Sequence, residues 1–430
     1  MDNHWLSVLL MTVAFVVTTI AYPFVLAFAR KHGIVDNPSV RKLQRVPVPV
    51  MGGTAVFIGF LTAVLVGWLL MSSDRVMMLT ALLAVMYAIG VWDDIKDVSA
   101  EFRFIVELFV VWLMILLLGV EMNHFHGFLG INEIPDAVSV PLSLIAGVGI
   151  MNAINMIDGV DGYCSTYGMM ACVVFAAIFW KAGAIPMFAL ALITIGALLP
   201  FFFHNVFGKT SKMFLGDGGS LMLGTLLTFF TFNTLTAGRP CDLAFEETGL
   251  SLVAICLAVL AIPVFDTLKV MVIRLFRGQS PFHPDKSHLH HLYIEMNFSH
   301  MATSAIIVLH NILIVGILLL SWWLGADATL QTLIVIGTAL LYTWGFYFFM
   351  EGQRRKNDGE GTALWKQWCV HKINFTALPL SVFIRKIVDS KMLGGNWLPQ
   401  EARRIDPRVG NPSEEKVRAK DKVSRTAEEE

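Results

Sequence analysis

The chain has 430 residues, 56% of them hydrophobic and 15% charged, and a formal net charge of −1. Soluble domains carry about a quarter charged residues, so this composition excludes a soluble enzyme and identifies an integral membrane protein, with no nucleic acid expected as a partner. The five cysteines (Cys164, Cys172, Cys241, Cys256 and Cys369) form no CxxC pair and suggest neither a disulfide framework nor a thiolate metal site.

The first apolar run begins at Trp5, with no basic residue before it and Arg30 and Lys31 after it. That polarity is the reverse of a cleavable signal peptide and predicts a retained first helix entering from outside. Stretches long enough to cross a bilayer core lie at approximately 5–29, 49–71, 76–92, 104–120, 138–156, 166–180, 185–203, 214–235, 250–275, 303–323 and 330–350. They predict an all-α polytopic bundle of about 10–11 transmembrane helices. With the N-terminus outside, the inner loops collect Arg30, Lys31, Arg41, Lys42, Arg45, Lys96, Arg103, Lys209, Lys212, Arg274, Arg277 and Lys286, against Arg75, Lys181 and Arg239 outside. The positive-inside rule therefore favours N-out, C-in. This parity puts every motif-like loop on the cytoplasmic face, while the outer loops, of which 121–139 is the longest, look bland. The transmembrane unit is expected to span 1–350. Residues 351–393 mix aromatic, aliphatic and basic side chains as an amphipathic cytoplasmic extension would, and 394–430 is charged, turn-rich and expected to be disordered.

Four polar motifs interrupt the apolar pattern. At the inner end of the third stretch, Asp93-Asp94 is followed by Arg103; adjacent carboxylates on a helix point different ways, so each can serve a separate role, although a solvated helix end would look the same. Asn152-Ala153-Ile154-Asn155-Met156-Ile157-Asp158-Gly159-Val160-Asp161-Gly162 lies between two membrane-like segments, where two carboxylates and two amides are costly to bury unless paired, hydrated or bound to something. Its Asp-Gly dipeptides would also make an ordinary turn. In Phe214-Leu215-Gly216-Asp217-Gly218-Gly219-Ser220, a carboxylate stands between glycines just before a long apolar helix, beside free N–H groups and a positive dipole end that suit phosphate. Mg²⁺ takes one or two carboxylates and completes its shell with phosphate and water, a role that suits Asp217; close helix packing would explain the glycines but not the aspartate. The loop Asp285-Lys286-Ser287-His288-Leu289-His290-His291 could hold Zn²⁺ through His288 with His291 or His290 with Asp285, but the surrounding carboxylates call for a hard cation, and histidines beside one more plausibly bind diphosphate oxygens. Asp266 and Lys269, three apart in the ninth stretch, read as a self-satisfied pair.

Together these motifs resemble the polyprenyl-phosphate N-acetylhexosamine-1-phosphate transferases, a bacterial membrane family. The resemblance is carried by Arg41-Lys42 with Pro49-Val50-Met51-Gly52-Gly53, Trp92-Asp93-Asp94 with Arg103, the 152–162 stretch, His204-Asn205, the 214–220 loop, and Pro263-Val264-Phe265-Asp266-Thr267 leading to the histidine loop. They occur in family order over nearly the whole membrane portion; the tail after Met350 is not covered. The resemblance implies transfer of a HexNAc-1-phosphate, GlcNAc by default, from a UDP-sugar to undecaprenyl phosphate with Mg²⁺, or Mn²⁺ in its place, releasing UMP. It implies Asp217 as metal ligand with Asn155 nearby, and Asp93 or Asp94 as the group handling the lipid phosphate. It further implies Asn155, Asp158 and Asp161 ordering the nucleotide and metal site, Phe214 near uracil, and Asn205, Arg103, His288, His290 and His291 on the substrates. Lys42 aligns only loosely with a nucleotide-site lysine. Direct attack and a covalent aspartyl-phosphate both remain open. A bacterial inner-membrane location is expected, and a homodimer is compatible with it. A nucleotide-sugar or metal transporter is the alternative, but it would need polar residues near the midplane, and few charges interrupt the apolar stretches, mainly Glu107, Asp266 and Lys269. The retained aspartates weigh against an inactive scaffold.

Overall fold

The computed structural model describes residues 3–37, 47–280, 287–296, 298–357 and 378–390. The chain is a helical bundle. In order the helices are α1 (Asn3–His32), α2 (Gly52–Met71), α3 (Asp74–Lys96), α4 (Ala100–Leu113), α5 (Asp136–Met156), α6 (Tyr163–Lys181), α7 (Ile185–Phe207), α8 (Gly216–Leu235), α9 (Pro240–Phe245), α10 (Leu252–Val259), α11 (Ala261–Phe276), α12 (Leu289–Glu295), α13 (His300–Trp323), α14 (Ala328–Leu340), α15 (Phe346–Asn357) and α16 (Pro379–Ser390). Two short antiparallel pairs accompany them, β1 (Val35–Asp36) with β2 (Val48–Pro49), and β3 (His124–Phe128) with β4 (Ile131–Glu133).

All eleven predicted stretches are largely helical; among the described residues eight helices are long and apolar enough to cross a membrane by themselves, or up to nine if the bent pair α10–α11 counts as one span. The expected all-α polytopic bundle is what the chain forms, and α4 and α8 fall outside the eight by length and composition. α4 carries Glu101, Arg103 and Glu107 and runs on into a π turn at Met114–Leu118. α8 is interrupted by Gly, Ser, Thr and Asn, a composition that suits a helix facing other helices rather than lipid.

Every residue of α8 except Asp217 is buried. It packs against α2, α3, α5, α6, α9 and α10, as expected of a helix apolar on all sides, and the bundle closes round it. α1 lies against α2 and α7, and α6 against α7.

The stretch expected at 250–275 is broken by 69° between α10 and α11. Pro263 has no N–H to donate and crowds the carbonyl four residues back, which stops the ladder at Val259. Asn311 of α13 satisfies the groups so released: Oδ1 accepts from Ile262 N at 3.1 Å, and Nδ2 donates to the Ala258 and Val259 carbonyls at 3.1 Å each. The Tyr167 hydroxyl donates to the Val259 carbonyl as well. A break at this depth is tolerable only with such partners.

Beyond the bundle, α16 docks against the end of α7. Arg385 Nε donates to the Phe207 carbonyl at 3.1 Å, and Asp389 accepts from Ser211 N at 3.0 Å. Leu380, Val382, Phe383 and Ile387 are exposed on this helix. The rest of the expected 351–393 extension after α15, and the 394–430 tail, lie outside the described residues.

The start of α2 meets the start of α8 backbone to backbone: a Cβ on Gly53 would stand 2.4 Å from Gly219 N and 2.5 Å from Gly219 Cα. Backbone cannot swing aside as a side chain can. Gly53→Val is expected to lower the melting temperature in detergent sharply or to abolish recovery of monodisperse protein. Gly337→Ala, on a helix with open space around that position, should leave it unchanged or slightly raised.

Candidate active site

The ends of α1, α3, α5, α7 and α11 and the starts of α2, α4, α6, α8 and α13 lie at the same end of the bundle, so the motif loops share one face. The organising contact is between α3 and α8. The N-cap residue of α8, Leu215, offers no side-chain acceptor. Asp94, from the last turns of α3, supplies it: Oδ1 accepts from Asp217 N at 2.9 Å and Oδ2 from Gly218 N at 3.2 Å. The approach requires glycine, since a Cβ on Gly216 (φ +77°) would stand 2.5 Å from Asp94 Oδ2.

The other carboxylates converge there. Asp158 Oδ2 accepts from Gly216 N at 3.1 Å. Asp93 Oδ1 accepts from Val98 N at 2.7 Å, and its Oδ2 pairs with Arg103 Nη1 at 2.9 Å. Asp217 Oδ2 lies 3.5 Å from the same nitrogen. Among the described residues, Arg103 is the cation paired to this group of four. It is held by Glu107, 3.5 Å from Nε, whose other oxygen accepts from Asn152 Nδ2. The Asp217 side chain is 34% exposed and that of Asp93 12%, so Asp217 presents the open carboxylate. Burial, reinforced by Asp217 and Asp94, raises the pKa of Asp158 well above the usual carboxylate range. These carboxylates, with one paired cation among the described residues, are oxygen donors of the kind a hard divalent cation takes, one or two at a time, with phosphate and water completing its shell. Asn155 Oδ1, accepting from Ser220 Oγ at 2.7 Å, stands beside them.

Asp161 begins a second cluster. Its Oδ2 pairs with Lys212 Nζ at 2.5 Å and His300 Nδ1 at 3.1 Å, while its buried Oδ1 has no hydrogen-bond partner. Burial works against its ionisation, but His300 and Lys212 outweigh that and hold its pKa below the ordinary value. Lys212 Nζ also lies 5.8 Å from the centre of the Phe214 ring. Asn205 straps this region together, Oδ1 accepting from Gly162 N at 2.6 Å and Nδ2 donating to the Met213 carbonyl at 2.9 Å. Both its polar atoms are thus committed to backbone. The Pro49–Gly53 segment backs the same loop, with Phe214 N donating to Pro49 O, Gly52 N to Phe214 O and Gly53 N to Leu215 O at 2.7–2.8 Å.

The histidine segment joins through Asp266, which pairs with Lys269 Nζ at 2.6 Å, accepts from Leu289 N at 3.1 Å and lies 3.0 Å from His288 Nδ1. The expected self-satisfied Asp266–Lys269 pair therefore also orients His288 and anchors the start of α12. His290 is buried; burial, then His291 and His288, keep its pKa well below the ordinary histidine value. Its Nε2 would lie 3.0 Å from a Cβ on Gly159, which ties this segment to the 152–162 turn. His291 packs against it with ring centroids 4.4 Å apart. Arg41, Lys42, Asp285 and Lys286 lie outside the described residues.

Four residues that this arrangement uses were not singled out as site residues by sequence: Glu107, Lys212, His300 and Asp266. The spacing of Arg103 and Glu107, four apart at a membrane boundary, was the available signal for one of them. Lys212 and His300 meet Asp161 from distant segments and left no local signal. An apolar cavity of about 550 Å³ opens beside the carboxylates, lined at the near end by Asn152, Met156 and Thr267 and at the far end by Phe125 and Phe128.

Residues 76–234 match the model of the glycosyl transferase family 4. The chain is 32% identical over 302 residues to the probable undecaprenyl-phosphate N-acetylglucosaminyl 1-phosphate transferase of Bacillus subtilis strain 168, covering 69% of this chain and 81% of that protein. It is 30% identical over 355 residues to the decaprenyl-phosphate N-acetylglucosaminephosphotransferase of Mycolicibacterium smegmatis, covering 76% and 84%. With the undecaprenyl-phosphate alpha-N-acetylglucosaminyl 1-phosphate transferase of Escherichia coli K12 it shares 29% over 310 residues, 70% and 80% of the two chains. Similarity of this extent, over the helices that build the carboxylate cluster, means that the chain belongs to the polyprenyl-phosphate N-acetylhexosamine-1-phosphate transferases of glycosyl transferase family 4.

Proposed function

We propose that this multi-pass membrane protein transfers N-acetylhexosamine-1-phosphate, GlcNAc-1-phosphate by preference, from a UDP-sugar to undecaprenyl phosphate, at a site facing the cytoplasm of a bacterial inner membrane. The observation that carries the reading is the convergence of Asp93, Asp94, Asp158 and Asp217 on the start of α8, beside an apolar cavity suited to a polyprenyl chain. The basic residues on the loops at this end support the cytoplasmic orientation.

In this reaction a phosphate oxygen of the lipid attacks the β-phosphorus, and the bond from that phosphorus to the bridging oxygen breaks, so that UMP leaves. Nucleophile and electrophile are both anions, and the site must suppress their repulsion. Mg²⁺, held by Asp217 with Asn155 and Asp158 beside it, would neutralise diphosphate charge and that of the departing UMP. Arg103, fixed by Glu107, offers a guanidinium to the lipid phosphate, which competes with Asp93 for it. Asp94 has both oxygens on α8 amides and acts by positioning Asp217. His288, held through Nδ1 by Asp266, keeps Nε2 for a phosphate oxygen, and His291 lies near it. Lys212, drawn in by Asp161, stands next to Phe214, where a uracil ring can stack.

The deciding assay is purified protein in detergent with undecaprenyl phosphate, Mg²⁺ and a panel of radiolabelled UDP-HexNAc donors. Lipid-linked product and UMP are expected in equal amounts, with UDP-GlcNAc the best donor; no product with any donor would overturn the reading. Asp217→Asn should fold normally and lose roughly a hundredfold or more in turnover. Near-normal activity would remove it from the metal site.

The depressed pKa of Asp161 has a consequence for stability. A carboxylate that ionises more readily when folded stabilises above its unfolded pKa of about 3.9, and that contribution disappears as pH falls through the lower folded value. Asp161→Asn is therefore expected to melt lower than the parent at pH 6, by roughly 1–3 kcal/mol of stability. The gap should close as the buffer is taken below about pH 4, as followed by thermal unfolding in detergent.

A further inference from the structure

At the end of α8 remote from the carboxylates, about 30 Å away along a helix of this length, the β3–β4 hairpin meets the turn between α8 and α9. Three side chains converge there. His124 Nδ1 lies 3.0 Å and His126 Nδ1 3.6 Å from one oxygen, Asp242 Oδ1, and the two imidazole rings stand nearly perpendicular with centroids 4.2 Å apart. The three side chains are 15%, 7% and 12% exposed. One ligand atom from each lies within 4.8 Å of the others, and no other such group of His, Cys, Asp or Glu occurs among the described residues.

The site is built rather than incidental. Asp242 Oδ2 accepts from Gly238 N at 2.7 Å, which turns Oδ1 toward the histidines. The two segments are bolted together around it: Thr236 Oγ1 accepts from Glu121 N at 3.0 Å, Ala237 N donates to Asn123 Oδ1 at 2.9 Å, and Arg239 Nη2 donates to the Leu118 and Gly119 carbonyls at 2.7 and 2.6 Å. Despite this, His124 Nδ1 and His126 Nε2 are buried with no hydrogen-bond partner, and the former is close to Asp242 without the alignment of an N–H donor. Leaving buried polar atoms unpaired is costly. A lone pair directed at a shared cation would remove that cost at His124.

We propose that His124, His126 and Asp242 bind a divalent transition-metal ion of the Zn²⁺ class, which fastens the β3–β4 hairpin to the first turn of α9. Two imidazoles and one carboxylate suit Zn²⁺ and disfavour Mg²⁺, whereas the all-carboxylate cluster at the other end has the opposite preference. Three protein ligands leave the fourth tetrahedral position to water. Phe125, between the two histidines, lines the far end of the apolar cavity, so the ion also holds that wall.

The test uses full-length protein in detergent, stripped with a chelator, dialysed against Zn²⁺ and measured for bound metal. One equivalent is expected in the parent, none with His126→Asn or Asp242→Asn, and one with His288→Asn, which leaves this end untouched. Equal zinc in the parent and His126→Asn, or loss with His288→Asn, overturns the proposal. Hydrogen exchange of the parent gives a readout that needs no variant: Zn²⁺ should slow amide exchange in residues 121–128 and 236–242 about tenfold or more. Unchanged exchange there would mean that the three groups form ordinary ion pairs.

Discussion

The structure depends on one long-range cap. The start of α8 is buried, and buried helix N-terminal amides must find acceptors. Its own N-cap position offers none, and Asp94 from α3 takes two of those amides. A charge-assisted cap of this kind aligns α3 and α8 more strictly than apolar packing alone, because hydrogen bonds are directional where hydrophobic contact is not. From that alignment follows the exposure of Asp217, the single residue of α8 left unburied. Gly216, Gly218 and Gly219 let the partner backbones approach, and the dipole of α8 favours anions at the same spot.

Among the described residues, the acids at the start of α8 outnumber the cation paired to them. Burial and two neighbouring carboxylates push Asp158 toward its neutral form, and among the described residues Arg103, divided between Asp93 and Asp217, is the cation paired to this group of four acids. Such an arrangement lowers stability in isolation, and in the proposed reaction a cation and a diphosphate would complete it. By contrast, the surroundings of Asp161 and Asp266 are balanced, each carboxylate carrying a lysine and a histidine. Those balanced networks hold the 152–162 turn, the 214–220 loop and the histidine segment in place around the unbalanced one. The break between α10 and α11 serves the same geometry: Asn311 satisfies the interrupted ladder, and α11 leaves the break at the angle that brings Asp266 to His288.

Much of this was legible in the sequence because membrane proteins write their architecture in plain terms. Twenty apolar residues must be a helix, since no other backbone arrangement satisfies its own hydrogen bonds in hydrocarbon. Polar residues between such segments then had to be either solvated or functional, and the parity of crossings brought Asp93-Asp94, the 152–162 stretch, the 214–220 loop and the histidine segment to one end. Parity alone, however, could not distinguish Asp94 as a cap from Asp217 as an open carboxylate, nor reveal that Asn205 spends both polar atoms on backbone. Burial and direction differ between these residues, and neither is a property of residue type.

The sequence by itself determined the helical bundle, the common face of the motif loops and the family to which their residues point, because hydropathy, Gly–Asp patterning and charge parity are local quantities. Only the tertiary structure decided which carboxylate caps, which stands open, and which distant cations, Lys212 and His300, balance Asp161. It also turned the loop at 121–139, bland in one dimension, into a hairpin that sets His124 and His126 against Asp242. The physical reason is common to all of these: a hydrogen bond or ligand set between residues a hundred positions apart depends on how helices pack, and packing geometry is not written in any one segment.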